Sequence, residues 1–526
     1  MRTRTDVAGD DPGRPPGDPP PATPATPAAA EPLDPRRWLA LSVLVVAQLM
    51  VVLDGSVVTI AIPSALRDLH MSAAAGQWVV TSYALAFGGL LLLGGRVADF
   101  LGRRRAFVWG LFGFAAASAL GGAAPTAGLL IAARALQGVC AAVLTPAALS
   151  LITVTFTEGR ERARAFAVYG AVSGGGAAIG LVAGGLLTEY ASWRWCLLVN
   201  IPIALVTAAA AVPVIRESRA GEHPSYDVLG AVTVTAGLVA LGYGFTVAAR
   251  EDHGWASAQT VGLLVGAALL LAAFVVVEAR SAQPLLPPRV PLERNRGGSF
   301  LAAALISANM LATLLFLTYY FQNTLGYSAL RTGFAFLPIS AGVLVAANLT
   351  SRLLSRLGAK ALMLGGIGLS IAGMLLLTRL NLRSGYPGTL LPAEILISTG
   401  MGFAVIPMFN VSLTGVAPRD AGVASALVNV TQQIGGSLGV ALLSTVSATA
   451  ITRYERAHGG GGATTSPRAA IEGYTTAFTG STAFLVVAFV VVLVLVQAHP
   501  AGPPTEGGPA AEPGQDVANS QIDWAT

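Results

Sequence analysis

The sequence predicts an all-α protein that crosses a membrane many times, and three observations support that prediction. Of the 526 residues, 54% are hydrophobic and only 11% are charged, whereas about a quarter of the residues of a soluble protein are charged. The mean hydropathy is +0.66. Apolar runs of about 20 residues, the length with which a helix crosses the hydrocarbon core, recur along the chain.

Fourteen apolar runs are long enough to span a bilayer, and an even number places both termini on one side. They cover residues 38–62, 75–95, 106–124, 127–151, 165–188, 195–215, 226–249, 259–278, 299–321, 331–351, 361–379, 388–413, 420–447 and 475–497. Of the 32 lysines and arginines, 22 fall on the side of the termini, nine on the other side, and Arg134 within a span. Because cytosolic loops carry the excess of positive charge, both termini are predicted to be cytosolic. The same rule explains the net charge of +5 without a nucleic-acid partner.

An internal repeat divides the chain into two halves. The segment 95–105, between spans 2 and 3, is echoed by 351–360, between spans 10 and 11. The pairs that align at one offset are Arg96 with Arg352, Leu101 with Leu357, and Gly102 with Gly358. Two six-helix halves are therefore expected as parallel repeats about an axis normal to the membrane.

The predicted domains follow from the repeat and from the composition between spans. Residues 1–35 are rich in Pro, Ala and Thr and lack the apolar core of a signal peptide, which indicates a disordered tail. The divisions are a disordered cytosolic tail (1–35), an N-terminal six-helix bundle (36–218), two inserted transmembrane helices (219–280), a cytosolic linker (281–298), a C-terminal six-helix bundle (299–497) and a second disordered cytosolic tail (498–526).

Three ionisable residues within spans are candidates for proton coupling: Asp54, Arg134 and Glu394. A charge at bilayer depth costs about 2.5 to 3.5 kcal/mol, so it rarely persists without a partner or a function. At about 1.5 Å per residue, Asp54 and Arg134 lie at similar depth, and so does Glu394. Reorganising such a cluster would take up and release a proton. The alternatives are a static ion pair between Asp54 and Arg134, and a hydrated Glu394 at the mouth of the protein.

Four further side chains are candidates to line a substrate cavity: Gln137, Asn200, Tyr319 and Gln432. The three amides could hydrogen-bond a substrate, and the aromatic ring could offer it an apolar surface. The alternative is that intramembrane amides join helices and that the ring faces lipid or the core.

A cytosolic gate is predicted at Gly95, Asp99, Gly102, Arg103 and Arg104. Asp99 could close the inward face through charge-assisted hydrogen bonds to an arginine or to a neighbouring helix N-terminus. In the alternative, the arginines only anchor the topology.

Glycines of span 5 form a predicted helix-packing face, with members at Gly176, Gly180, Gly184 and Gly185. Spacings of four residues allow helix backbones to approach closely.

Several of these segments resemble the major facilitator superfamily, and in particular its fourteen-helix drug:proton antiporter branch. The similar stretches are Leu53 to Pro63, Gly95 to Arg105, Arg134 to Gly138, Trp193 to Trp195 with Asn200 to Pro202, Phe321 to Tyr327, and Gln432 to Gly436. The resemblance implies the major facilitator fold and proton-driven antiport, with Asp54 and Arg134 close to the coupling chemistry. It also implies that the span 5 glycines are the antiporter signature of the family. The family pattern has proline where this chain has Leu181, which should leave the helix straighter.

The sequence offers no enzymatic or metal-binding motif. The five histidines lie in loops or tails without ligand spacing, Cys140 and Cys196 suggest packing residues, and there is no phosphate-binding glycine loop. We therefore expect no enzyme activity, cofactor or metal. The expected function is proton-coupled export of amphipathic drugs across a bacterial cytoplasmic membrane by a monomer. Alternatives are a narrow-specificity exporter of one metabolite, an importer, or a membrane receptor or scaffold.

Overall fold

The computed structural model describes residues 35–156, 159–219, 227–248, 254–281, 286, 289–416, 421–458 and 466–497, and the regular structure in them is helical. The helices are α1 (Arg37–Asp68), α2 (Ala73–Leu101), α3 (Arg103–Gly122), α4 (Ala127–Thr155), α5 (Gly159–Tyr190), α6 (Trp195–Leu198), α7 (Asn200–Val214), α8 (Val228–Ala248), α9 (Ala258–Arg280), α10 (Arg294–Tyr319), α11 (Ala329–Ala335), α12 (Leu337–Leu377), α13 (Leu391–Leu413), α14 (Ala421–Ala457) and α15 (Pro467–Leu495). Two π-helical turns, Tyr320–Thr324 and Tyr386–Leu390, follow α10 and precede α13. The predicted disordered tails lie outside the described residues, apart from Pro35.

Within the described residues, 12 helices are long and apolar enough to cross a membrane. The fourteen predicted spans differ from these twelve at two places. Helix α3, which begins with three arginines, is not among the twelve. The predicted spans 331–351 and 361–379 both fall in the 41 residues of α12, which is interrupted at Gly358, where φ is 77°.

Serine and threonine side chains start five of the helices. Each accepts a hydrogen bond from the backbone N–H three residues later, and so satisfies a donor that the first helical turn leaves free. The capping residues are Ser72 for α2, Thr126 for α4, Ser257 for α9, Ser328 for α11 and Ser466 for α15.

The helices pack into two groups, which are called the first half (α1–α7) and the second half (α10–α15). In the first half, α1 lies against α5, α2 against α4, and α3 against α4 and α7. In the second half, α10 lies against α14 and α15, and α12 folds back against α13. The buried apolar residues form two clusters that each include residues of both halves, and the halves meet mainly where α2 contacts α14 and α5 contacts α11.

Polar contacts between helix ends show which ends lie on the same side of the bundle. Arg36 at the start of α1 donates to the carbonyl of Pro213 near the end of α7 (3.4 Å), and Arg294 at the start of α10 donates to that of Val494 in α15 (2.6 Å). Gln322, just after α10, donates to Ile60 O in α1 (3.1 Å). Helices α1 and α10 therefore run parallel. The end of the bundle where α1 begins and α15 ends is called the termini end, and the opposite one the α1–α2 end.

Helices α8 and α9 lie outside the two halves. Helix α8 contacts α2 of the first half and α14 of the second. Near its last turn, Thr246 Oγ1 accepts from Trp78 Nε1 (2.9 Å), and the neighbouring Phe245 carbonyl accepts from Thr445 Oγ1 (2.8 Å). Helix α9 packs on α8 and is otherwise mostly exposed. Helices α8 and α9 therefore cover the contact between α2 of the first half and α14 of the second.

Candidate functional site

Asp54 lies at the centre of a buried polar cluster in the first half. Asp54 is 1% exposed, and its Oδ2 is paired with Nη1 of Arg134, which is also 1% exposed. Its Oδ1 accepts from Nε2 of Gln137 (3.0 Å) and from Nδ2 of Asn200 (2.8 Å). Helices α1, α4 and α7 each supply part of the cluster. The carboxylate thus receives a cation and two amide donors, the arrangement that a buried charge requires.

The guanidinium of Arg134 is also held by several groups. Its Nε donates to Val79 O (3.1 Å), its Nη1 donates to Gln137 Oε1 (2.9 Å), and its Cζ lies 4.4 Å from the centre of the Tyr83 ring. Gln137 in turn donates to Ser118 Oγ (2.7 Å). The pair is therefore tied to α2 and α3 as well. The sequence pointed to the pair but not to this surrounding shell, since hydroxyls and backbone carbonyls on other helices leave no distinct pattern.

Gln137 and Asn200 use their amides inside this cluster. Both are candidates either to line a substrate cavity or to join helices, and both are almost completely buried and hydrogen-bonded to Asp54. Their contacts agree with the alternative, in which intramembrane amides join helices. The other polar atom of the Asn200 amide, Oδ1, is buried without a hydrogen-bond partner.

Glu394 lies in the second half, in the first turn of α13. It is 0% exposed, its Oε2 is 3.3 Å from the Tyr386 hydroxyl, and its Oε1 has no partner. Among the described residues no ion pair involves it, and no hydrogen bond joins it to Asp54 or Arg134. The three ionisable groups therefore do not form one contact network: two are paired in the first half, and the third is separate.

Tyr319 and Gln432 also belong to the second half. Tyr319 is buried, its ring lies edge-on to that of Phe316 with centroids 6.5 Å apart, and its hydroxyl has no hydrogen-bond partner. Gln432 is half-buried on α14. The adjacent Gln433 lies against α2, because a Cβ added to Gly88 would be 3.0 Å from Gln433 Cβ. Gln432 is thus close to the contact between the halves, whereas Tyr319 packs within one of them.

The predicted gate loop turns tightly between α2 and α3. Asp99 Oδ1 accepts from Arg103 Nε and pairs with its Nη2, each at 3.0 Å. Gly102 between the helices has φ 100° and ψ 132°, which glycine adopts without strain. Gly95 faces α4, where a Cβ would lie 3.5 Å from Pro146. The described contact of Asp99 is therefore with an arginine of its own loop.

Glu217, which follows α7, completes the gate loop. Its carboxylate accepts from the backbone N–H groups of Arg104 (3.1 Å) and Arg105 (3.2 Å), and both guanidinium groups have an Nε 3.8 Å away. A carboxylate at a helix N-terminus is favoured by the helix dipole. This residue was missed because the segment after α7 was considered only for its arginines. The sequence feature that identifies Glu217 is a single acidic residue between Arg216 and Arg219.

The glycines of α5 pack against α1 and α11. Added Cβ atoms would meet Val52 at 3.2 Å from Gly176, Ser56 Cβ at 2.7 Å from Gly180, and the Val57 backbone at 2.9 Å from Gly184. From Gly185, a Cβ would meet the α11 backbone at 2.7 Å. Three of the four predicted glycines therefore bring α5 close to α1, and the fourth brings it close to the second half.

The contact between α5 and α11 closes the α1–α2 end. A Cβ on Gly333 would lie 2.5 Å from the carbonyl of Leu181, the residue that replaces the family proline. Glu189 Oε2 accepts from the backbone N–H of Leu330 (3.0 Å), and Gln322 bonds Ile60 nearby. A cavity of about 290 Å³ lies beside these contacts. Backbone approach and two hydrogen bonds thus hold the halves together at this end.

The chain belongs to the Major Facilitator Superfamily, whose family model matches residues 44–440. The puromycin resistance protein pur8 of Streptomyces alboniger is 51% identical over 471 residues, which cover 89% of this chain and 92% of that protein. The cephamycin export protein CmcT of Amycolatopsis lactamdurans is 40% identical over 88% of this chain and 94% of its own length. A bacterial homologue of the human lysosomal transporter Spinster, solved inward-facing and unoccupied, has the same fold at 17% identity, with a TM-score of 0.61 over 88% of this chain and 98% of that one.

Family membership confirms the resemblance that the sequence motifs carry. The protein is a bacterial membrane transporter of the cytoplasmic membrane with many spanning helices, and it is not an enzyme.

Proposed function

We propose that the protein is a proton-coupled antiporter that exports amphipathic drugs or antibiotics by alternating access. The observation that carries the proposal is the Asp54 and Arg134 pair, buried in the first half and joined there to three other helices. An intramembrane ion pair of this kind is typical of proton relays. Relatives at 51% and 40% identity are named for resistance to, or export of, an antibiotic.

We further propose that the chain crosses the membrane fourteen times with both termini in the cytosol. The contacts of α3 support this count: its first turn is bound by Glu217 at the termini end, and the carbonyl of its last residue, Gly122, accepts from Arg194 (3.2 Å), which also pairs with Asp68 at the α1–α2 end.

The contacts of α12 likewise support two crossings, one before Gly358 and one after it. Beyond Gly358, Lys360 donates to Leu493 O at the termini end (2.8 Å), whereas Asn381, after the last turn of α12, accepts from the Tyr320 hydroxyl at the α1–α2 end (3.1 Å). The proposed domains are then the bundles 36–218 and 299–497, with the inserted helices 219–280 and the linker 281–298 between them.

In this proposal the halves rock about a substrate held between them, and the structure corresponds to a cytosol-facing state. The polar contacts of Gln322 with Ile60 and of Leu330 with Glu189 join the halves at the α1–α2 end. Towards the termini end, Gly170 and Gly175 of α5 have nothing within 4 Å of an added Cβ. Gln432 and Tyr319 are the proposed substrate contacts on the second half.

The predicted roles divide accordingly. Asp54, Arg134 and Glu394 serve proton coupling. The loop from Gly95 to Arg104 closes the cytosolic side in the opposite state, with Asp99 paired to Arg103 and Gly102 allowing the turn. On the other side, Gly185 keeps the halves in contact, while the other three α5 glycines pack α5 on α1.

A narrow-specificity exporter on the same fold is the second candidate. The observation that favours it is that the two relatives with the highest identity reported above are each named for a single antibiotic, puromycin or cephamycin. The two candidates share the coupling chemistry and differ only in the range of substrates.

Everted membrane vesicles with an imposed pH gradient test the proposal. Puromycin, a cephamycin or a cationic dye should each dissipate part of the gradient if the exporter is broad, and only one of them if it is narrow. Asp54→Asn should abolish the response. Asp227→Asn is the matched control, since Asp227 is also a buried aspartate but lies at the start of α8, outside both halves. A gradient that no compound alters would refute antiport, and normal exchange by Asp54→Asn would refute the role of Asp54.

A further inference from the structure

Tyr386 joins the buried Glu394 to helix α11. Its hydroxyl oxygen lies 2.8 Å from the carbonyl oxygen of Ala335, the last residue of α11, and 3.3 Å from Oε2 of Glu394. The tyrosine sits in the π-helical turn that precedes α13. One side chain therefore touches both the end of a separate helix and a carboxyl group that has no counter-ion among the described residues.

Hydrogen counting at this hydroxyl indicates which group carries the proton. A phenol has one hydrogen to donate, and a carbonyl oxygen can only accept. If that hydrogen is directed at the nearer oxygen, that of Ala335, the contact with Glu394 is a hydrogen bond only when the carboxyl group donates. A buried carboxyl group without a cation is also far less costly in its neutral form. The geometry thus fits a protonated Glu394.

Helix α11 is the element of the second half that closes the α1–α2 end. Its Leu330 N–H is bound by Glu189, and its backbone meets α5 at Gly185 and Gly333. Since Tyr386 binds the opposite end of this seven-residue helix, its hydrogen bond to Ala335 helps to hold α11 in the docked position.

An aromatic cluster connects Tyr386 to the second closing contact. The Phe321 ring lies 5.9 Å from that of Tyr386, 5.3 Å from that of Phe336, and stacks at 5.6 Å on that of Tyr327. Gln322, the residue after Phe321, donates to Ile60 in α1. A displacement of Tyr386 would therefore act on both inter-half contacts.

We propose that the proton on Glu394 sets the closure of the α1–α2 end through Tyr386, which acts as a positioning residue for α11. With Glu394 protonated, the Tyr386 hydroxyl donates its hydrogen bond to the Ala335 carbonyl, and α11 stays docked on α5, as in this structure. When the carboxyl group loses its proton to water, the resulting carboxylate accepts the hydrogen bond from the Tyr386 hydroxyl. The Ala335 carbonyl then loses its donor, and α11 is released. This inference rests on the proposed antiport function and names one of its coupling steps.

The direction agrees with proton-driven export. A proton bound from the α1–α2 side would close that side, and its loss would favour reopening there. Asp54 differs, because it is already satisfied by Arg134 and two amides. The structure thus assigns the gate-linked proton to the second half and leaves the first-half pair as a separate element.

The effects of other titratable and charged groups near Tyr386 must be distinguished from the effect of Glu394. Tyr327 is the second titratable group close to Tyr386, and the Arg331 guanidinium lies 3.9 Å from the centre of its ring. Glu189 is the carboxylate that contacts α11 from the first half. Since protonation of Glu189 would weaken the α11 contact rather than form it, its effect on closure has the opposite sign with pH.

The test measures closure directly in the full-length protein. Ser64, which lines the cavity beside the α5–α11 contact, is replaced by cysteine in a chain with Cys140→Ala and Cys196→Ala. A membrane-impermeant maleimide is applied from the α1–α2 side of proteoliposomes from pH 5 to 9. Each labelling rate is divided by that of the denatured protein at the same pH, which removes the intrinsic titration of the thiol.

The normalised rate of the parent protein should rise about fivefold with pH, the effect of about one hydrogen bond on a two-state equilibrium. Glu394→Gln, whose amide donates at every pH, should keep the low rate, and Tyr386→Phe should keep the high rate. Glu189→Gln and Asp227→Asn should retain the pH dependence. A parent rate that does not change with pH, or a Glu394→Gln variant that responds as the parent does, would overturn the inference.

Failure of the inference and failure of antiport are distinguishable. If drugs dissipate the pH gradient while labelling is independent of Glu394, antiport stands and the gate assignment is wrong. If labelling follows Glu394 but no compound moves protons, the pH-sensitive closure stands and the transport proposal is wrong.

Discussion

Gly102 and Gly358 turn the chain in the same way at matching points of the two halves. Their φ angles are 100° and 77°, with ψ of 132° and 161°, a region that other residues enter only with strain. They stand 256 residues apart, the offset at which the sequence repeat aligns. The repeat therefore extends from residue types to backbone geometry.

Replacement of Gly102 by alanine should lower the free energy of unfolding by about 1 to 3 kcal/mol. The new Cβ would also lie 2.6 Å from the Glu217 carboxylate that binds the start of α3. Gly358→Ala tests the same backbone strain at the matching position of the second half. Gly365→Ala in α12 is the control, because nothing lies within 4 Å of its added Cβ. Thermal unfolding in detergent measures all three, and equal stability of Gly102→Ala and Gly365→Ala would contradict the expectation.

Arg134→Gln should destabilise the fold by roughly 3 to 5 kcal/mol, since it leaves the buried Asp54 without its cation. Asp54→Asn should cost less, because Val79 O, Gln137 and the Tyr83 ring still surround the guanidinium.

The double variant Asp54→Asn with Arg134→Gln distinguishes a working pair from a static one. Its melting temperature should recover towards that of the parent, because no charge is left unpaired. If drug-driven proton movement in vesicles recovers as well, the pair only joins helices. If stability returns while exchange stays absent, the pair takes part in coupling.

Gly185→Val should separate α5 from α11 and open the α1–α2 end, because its Cβ would lie 2.7 Å from the Leu330 backbone. The expected result is a faster passive proton leak in proteoliposomes, read by an internal pH dye. Gly175→Val on the same helix has nothing within 4 Å of its Cβ and should leave the leak unchanged. Matching leak rates for the two variants would show that the backbone approach at Gly185 does not hold the closure.

Hydropathy and charge predicted an all-helical membrane protein, because each span carries its own signal, and the resemblance of several motifs indicated this superfamily. The pairing of Asp54 with Arg134 was also foreseeable, since two charges at equal depth have few other partners. The fourteen-span count was not settled in the same way: α3 starts with three arginines, and α12 continues through Gly358.

Most other contacts between distant segments could not be predicted from the sequence. Gln137 and Asn200 were candidates either to bind substrate or to join helices, because an amide pattern does not reveal whether its partner is a substrate or a buried carboxylate. Glu217 and Tyr386 act through geometry set by turns far from their partners in sequence. Such residues carry no periodic signal.

Adjacent positions of α8 are bound by opposite halves, Thr246 by Trp78 and Phe245 by Thr445. The last turn of α8 is therefore hydrogen-bonded to both halves at once. The inserted pair is then more than a connecting chain. Excising it to shorten the transporter would remove both of these hydrogen bonds and would expose the groove between α2 and α14 to lipid.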